Sequence, residues 1–157
     1  MIVFQAAANS EGPAAELFRR LEAGWFNLYV SAEILNEMRD VLSRPKLRAK
    51  NRHITDESVR RVFESLSRFA RSVSGVPSAF SLPRDPDDEP YLNLAVAVDA
   101  DHLVTWDIDL LDLMHDEGFR SQYPHLLILN PVAMLRALTP PSEEQPGSGQ
   151  AATPLPD

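Results

Sequence analysis

The spacing of apolar residues predicts a chain in which helices alternate with short strands. Apolar positions recur with the period of a helix in six stretches, and helix-starting residues such as Pro13, Ser31 and Thr55 precede the first three of them. The predicted helices cover residues 13–24, 31–44, 55–70, 90–96, 108–114 and 130–138.

Short apolar runs between these helices predict strands at residues 26–30, 102–105 and 126–129, with a weaker one at 73–76. Met1 to Phe4 resembles the end of a further strand that has no room for its beginning, since strands average about five or six residues. Strands that alternate with helices in this way predict an α/β sandwich around a mostly parallel sheet, with a truncated first strand.

Composition limits the domain to the first part of the 157-residue chain. Residues 139–157 contain five of the 13 prolines, two of the six glycines and no aromatic residue, so we expect a disordered tail after a single domain at 1–138.

The chain has no cysteine, which excludes disulfide scaffolds and thiol catalysis. It also lacks an apolar run near 18 residues, so we expect a cytoplasmic protein without membrane contact.

The net charge of −8 argues at first against a nucleic-acid partner, but the charges are divided along the chain. Residues 1–84 carry a net charge of +4, whereas residues 85–116 carry ten acids and no Lys or Arg. Five cations fall within nine residues and predict a phosphate-binding segment: Arg44, Lys46, Arg48, Lys50 and Arg52. The alternative is a solvated helix end, where the helix dipole favours cations.

Several carboxylates fall where a site is expected in an α/β fold. Asp107 directly follows a predicted strand, Asp88 and Glu89 precede the Pro90 helix, and Glu37 lies at the edge of an apolar helix stripe. Carboxylates that converge repel one another, and a divalent cation would neutralise them. Mg²⁺ and Mn²⁺ prefer oxygen ligands and activate water for attack on a phosphodiester.

Other roles for these acids remain open. Asp88, Glu89 and Asp107 precede short helices and could simply cap them, while the Asp85 side chain is expected at the solvated surface. A phosphatase that uses Asp107 and Asp109 as nucleophile and acid is disfavoured, because that motif usually follows the first strand. The four histidines show no ligand spacing, and the chain has no P-loop, G-x-G-x-x-G or G-x-S-x-G motif.

The order of motifs resembles the PIN domain nucleases, in particular the group described as toxin components of toxin–antitoxin pairs. The resemblance spans about residues 1–138. It is carried by G-P-A-A at residues 12–15, V-S-A-E-I-L-N-E-M-R-D-V-L-S-R-P-K-L at 30–47, D-P-D-D-E-P-Y-L-N-L-A at 85–95, L-V-T-W-D-I-D-L-L at 103–111 and I-L-N-P-V-A-M-L at 128–135.

This resemblance implies a three-layer α/β/α sandwich and a Mg²⁺- or Mn²⁺-dependent ribonuclease, commonly dimeric and inhibited by a small antitoxin. It implies catalytic and metal-binding roles for a set of acids: Glu37, Asp88, Glu89 and Asp107, with Asp109 as a more variable ligand. Asn93 and Thr105 would be polar supports near the metal. The RNA backbone would contact Arg44, Lys46, Arg48 and Lys50.

The chain departs from the family pattern at its start. The family's first strand ends in an aspartate, which would fall about two positions before Met1, and neither Gln5 nor Asn9 replaces a metal-binding carboxylate well. Either the true start lies upstream, which we favour, or the domain is a truncated form. The function alternative to an active ribonuclease is therefore an impaired PIN domain that binds an antitoxin or its own dimer partner.

Overall fold

The computed structural model describes residues 2–82 and 85–139. Its four strands form two parallel pairs, β1 (Leu28–Ser31) with β2 (Ala70–Val73), and β3 (His102–Val104) with β4 (Leu127–Leu129). The helices are α1 (Ile2–Ala8), α2 (Pro13–Glu22), α3 (Ala32–Ser43), α4 (Pro45–Lys50), α5 (Asp56–Phe69), α6 (Glu89–Ala97), α7 (Ile108–Asp112), α8 (Glu117–Gln122) and α9 (Pro131–Leu138). The predicted α/β/α class with parallel strands is confirmed.

Helix starts follow the side chains that the sequence indicated. The Ser31 hydroxyl accepts a hydrogen bond from the Ile34 N–H at 3.2 Å and so caps α3. Thr55 and Ser58 form a reciprocal capping box at α5, with distances of 3.1 and 3.0 Å. Asn130 caps α9 in the same manner, at 2.9 Å from the Ala133 N–H. These local bonds explain why the starts of these helices were predictable.

The start of the chain differs from the prediction, because residues 2–8 form a helix and not the end of a strand. Val3 and Ala7 are buried four residues apart, which is the spacing of one helix face. Three consecutive alanines favour that conformation. A short apolar run does not distinguish a strand from a helix by itself, and the prediction of a strand at Met1 to Phe4 was therefore wrong.

The core consists of two groups of buried side chains. Leu42, which is fully buried, and Ile34 belong to the group that surrounds β1, α1, α3 and α5. Leu92 and Leu110 belong to the other, which surrounds β3, β4 and α7. Helix α6 contacts both β1 and β3, and it contributes Leu94 to the first group and Leu92 to the second. The two strand pairs therefore share α6, which begins beside the acidic residues.

The last described helix ends at Leu138, close to the predicted domain boundary. Apart from Thr139, the predicted tail at 139–157 lies outside the described residues, and the tail stays a prediction. Within the described ranges, no helix combines the length and apolar character needed to cross a bilayer.

Candidate metal centre

Three carboxylates meet at the carboxyl end of β3 and the start of α6. Asp85, Asp88 and Asp107 each offer an oxygen atom, and these atoms all lie within 4.8 Å of one another. Asp107 follows the two residues after β3, whereas Asp85 precedes a short 3₁₀ turn at Pro86–Asp88 and Asp88 ends it. Asp107, predicted at the strand end, and Asp88, predicted before α6, are thus brought together at the place where α/β folds bind ligands.

Asp88 combines a buried carboxylate oxygen with a raised pKa. Its Oδ2 atom is buried and has no hydrogen-bond partner within residues 2–82 and 85–139. Burial, together with the charges of Asp107, Asp85 and Glu37, raises the pKa of Asp88 from its ordinary 3.8 to about 6. A buried acceptor beside other negative charges is the kind of group that a bound cation would stabilise.

Asp107 both caps a helix and faces the acidic group. Its Oδ1 accepts hydrogen bonds from the N–H groups of Asp109 and Leu110, at 2.8 and 3.2 Å, so it caps α7. The Thr105 hydroxyl accepts a hydrogen bond from the Asp107 N–H at 3.0 Å. The expected capping role and the expected site position are therefore compatible, and Thr105 supports Asp107 through the backbone.

Glu37 is held by a tyrosine that is distant in sequence. The Tyr91 hydroxyl donates a hydrogen bond to Glu37 Oε2 at 3.1 Å, across 54 residues of sequence. Burial and the charge of Glu37 raise the pKa of Tyr91 above its ordinary value of 10. Glu37, Asp88 and Asp107 line one cavity of about 640 Å³. Sequence reasoning did not identify Tyr91, since no local pattern links it to Glu37.

Glu89 and Asn93 contact the segment that leads to the site. Glu89 Oε1 accepts hydrogen bonds from the Leu82 N–H at 2.7 Å and from the Ser81 hydroxyl at 3.2 Å. Asn93 Oδ1 accepts from the N–H groups of residues 79 and 80, at 2.9 and 2.6 Å. Both side chains thus anchor residues 79–82 to α6. The structure does not bring them into the group of three carboxylates.

Asp85 belongs to the site although the sequence predicted a solvated surface position for it. It accepts a hydrogen bond from the Asp87 N–H at 3.1 Å and so starts the 3₁₀ turn that carries Asp88. The D-P-D-D sequence was the available signal, since Pro86 favours a tight turn that brings both ends of the motif close together. Asp109 donates its backbone N–H to Asp107 and is not one of the three.

Of the four predicted RNA-binding cations, the two arginines form ion pairs, and the two lysines form none within the described residues. Arg44 forms an ion pair with Asp40 at 2.7 Å, and Arg48 donates to the Leu42 carbonyl at 2.7 Å and to Asp56. Lys46 and Lys50 lie on α4 and have no ion pair among the residues that the structure describes. Since α4 packs against α3, these two lysines neighbour the helix that carries Glu37.

Comparison with known proteins identifies the family. A family profile described as PIN domain matches residues 2–109, more than half of the chain. Neither the curated proteins nor the solved structures provide a match. PIN domains are typically nucleases and generally use divalent metal ions. The matched residues include Glu37, Asp88 and Asp107, and the chain belongs to the PIN domain family.

Proposed function

We propose that this chain is a Mg²⁺- or Mn²⁺-dependent endoribonuclease. The observation that supports it most strongly is the group formed by Asp85, Asp88 and Asp107, in which one buried carboxylate oxygen has no partner among the described residues. Such a set of oxygen donors suits a hard divalent cation. The family membership indicates a nuclease, and the acidic group supports its metal dependence.

The residues present fit the cation that the family implies. We assign it to Asp85, Asp88 and Asp107, with Glu37 on the same cavity as a fourth carboxylate. When bound, the cation would lower the pKa of a water molecule and polarise the phosphodiester. The roles predicted for Glu89 and Asp109 as ligands remain proposals that the three-carboxylate arrangement does not require.

The chain's own residues would position the reacting groups. Helix α7 fixes one oxygen of Asp107 through two N–H groups, which leaves the other oxygen for the site. Tyr91 holds Glu37 in one orientation. The anchors at Glu89 and Asn93 fix the segment before Asp85, so that the acids are arranged before a substrate arrives.

Lys46 and Lys50 would contact the RNA backbone, because both cations are available on α4 for phosphate groups. The ion pairs of Arg44 and Arg48 with Asp40 and Asp56 make these two arginines weaker candidates. Contacts of this kind position a substrate without selecting its sequence.

The finer biological assignment rests on the resemblance in sequence. We propose that the nuclease is the toxin of a type II toxin–antitoxin pair, is inhibited by a small antitoxin protein, forms a homodimer and acts in the cytoplasm. Co-expression tests this: growth arrest by the chain alone, relieved by a protein encoded beside it, is the expected result. Growth unaffected by the active enzyme would contradict the toxin role.

The proposed reaction is tested with a labelled single-stranded RNA in Mn²⁺. We expect Asp107→Asn to reduce cleavage roughly 100-fold. An asparagine can still cap α7, so the fold should persist. Asp87→Asn is the matched control, because Asp87 is exposed and adjacent to the site but outside the group. Equal cleavage by Asp107→Asn and by the wild type, or cleavage that persists in EDTA, would refute the assignment.

The RNA contact is tested by the salt dependence of binding. Lys46→Gln with Lys50→Gln should reduce the slope of log K against log salt by about 1.4, since each lost phosphate contact contributes about 0.7 for single strands. Arg60→Gln is the control, because Arg60 is paired with Glu57 and Glu64. An unchanged slope in the double variant would exclude α4 as the RNA contact.

A further inference from the structure

One face of α5 carries a shallow groove at the surface of the molecule. Five side chains with the three- and four-residue spacing of a single helix face line it: Arg60, Phe63, Glu64, Ser67 and Arg68. Val62 and Leu66 of the same helix are buried and belong to the core. The groove therefore lies on the side of α5 that the core does not use.

Two arginines at this groove have no carboxylate partner. Arg60 forms ion pairs with two glutamates of α5, so its charge is balanced within the helix. Arg68 forms no ion pair in the described part of the chain, and neither does Arg39, which reaches the groove from α3. Residues 65–84 contain no acid. The groove thus carries positive charge that the neighbouring side chains do not neutralise.

Aromatic rings hold both of these arginines. The guanidinium carbon of Arg39 lies 5.1 Å from the centre of the Phe63 ring, and that of Arg68 lies 5.7 Å from the centre of the Phe69 ring. Contact with a ring occupies no carboxylate or carbonyl acceptor, so the guanidinium N–H groups remain available. Those donors match the oxygen atoms of a phosphate. The rings therefore preorganise two phosphate-binding groups.

We propose that this groove binds the backbone of single-stranded RNA at a distance from the metal centre. The inference rests on the proposed ribonuclease function. Charge complementarity favours a polyanion, with Arg39 and Arg68 contacting its phosphates. The partly exposed rings of Phe63 and Phe69 favour RNA over an acidic protein segment, because bases stack on aromatic side chains beside cations.

Helix α3 separates the groove from the metal centre. Glu37 and Arg39 precede and follow the buried Met38, so their side chains lie on opposite flanks of the buried face of α3. A helix with its side chains is about 10–12 Å wide. A dinucleotide has a single phosphodiester, which would occupy the metal centre and leave none for the groove. A longer RNA can reach both places at once.

Binding of a labelled RNA of about 20 nucleotides to the full chain in EDTA tests the contact independently of cleavage. Arg39→Gln with Arg68→Gln should weaken binding about 25-fold at about 0.1 M salt, because two lost phosphate contacts reduce the slope of log K against log salt by about 1.4. Arg120→Gln is the matched control, since Arg120 is exposed on α8 and has no ion pair among the described residues. Arg39→Lys with Arg68→Lys keeps the charges and should keep the wild-type slope.

Cleavage in Mn²⁺ separates a remote contact from a structural role. The double glutamine variant should cleave the long RNA with a kcat/KM about 25-fold lower, and should cleave a dinucleotide as the wild type does. An equal loss on both substrates would mean that the arginines act only through the fold, and would overturn the inference.

Three binding results would also overturn the inference: unchanged RNA binding by the double glutamine variant, an equal loss of binding in the double lysine variant, or tighter binding of polyglutamate with the same charge as the RNA. Failure of the proposed function gives a different result. In that case the wild type would bind RNA through Arg39 and Arg68 but would cleave neither substrate.

Discussion

Replacing Asp88 with asparagine should stabilise the metal-free protein at alkaline pH. The pKa of Asp88 is raised from 3.8 to about 6 by burial and by the neighbouring acids, so the folded state holds this proton more tightly than the unfolded state. The stability that the proton contributes is present below pH 4, decreases as the pH rises from about 4 to 6, and is lost above that. At pH 8 the ionised carboxylate therefore destabilises the fold.

The magnitude follows from the pKa difference. A pKa difference of about two, at about 1.4 kcal/mol per unit, corresponds to a destabilisation of about 3 kcal/mol. Partial solvent screening of this half-buried carboxylate reduces the expected destabilisation to about 1–2 kcal/mol. Asp88→Asn keeps the shape of the side chain and removes the charge. We expect its free energy of unfolding in EDTA to exceed that of the wild type by this amount at pH 8, with a clearly smaller difference at pH 4.5.

Urea denaturation at both pH values measures the effect, and Asp87→Asn is the control for a loss of charge without burial. Saturating Mn²⁺ should reverse the order, because a ligand at 100 times its Kd adds about 2.7 kcal/mol to the protein that binds it. If Asp88→Asn were less stable than the wild type at pH 8 in EDTA, the reasoning from burial and like charge would be refuted.

Three further variants test other parts of the structure. Tyr91→Phe should weaken Mn²⁺ binding about tenfold by releasing Glu37, with the melting temperature nearly unchanged; equal calorimetric affinities would contradict this. Ser31→Ala should cost about 1 kcal/mol by removing the α3 cap, whereas Ser31→Asn should retain it in urea denaturation. Leu42→Ala should cost about 2–5 kcal/mol, and a loss below 1 kcal/mol would mean that this position is not core.

The helix starts at Ser31, Thr55 and Asn130 were predictable because a cap depends on residues a few positions apart. The short helices α4 and α8 were not predicted, since six residues are too few to show a periodic apolar stripe. The chain start was assigned incorrectly because α1 is stabilised by packing against α2 and α5, which a local pattern does not contain.

The positions of Asp107 and Asp88 were predictable, because they depend only on where a strand ends and where a helix begins. Asp107 lies at the end of β3 and Asp88 at the start of α6, and parallel strands place such positions at one edge. The membership of Asp85 depends on the 3₁₀ turn, and the partner of Glu37 depends on a contact across 54 residues. The hydrogen bonds of Glu89 depend on the path of residues 79–82, which the sequence does not specify.

Isothermal titration of Mn²⁺ into the full chain at pH 7.5 tests whether Asp85, Asp88 and Asp107 bind a divalent cation. We expect saturable binding to the wild type, unchanged in Asp87→Asn and lost in both Asp88→Asn and Asp107→Asn. Absence of binding to the wild type, or equal binding to all four proteins, would contradict it.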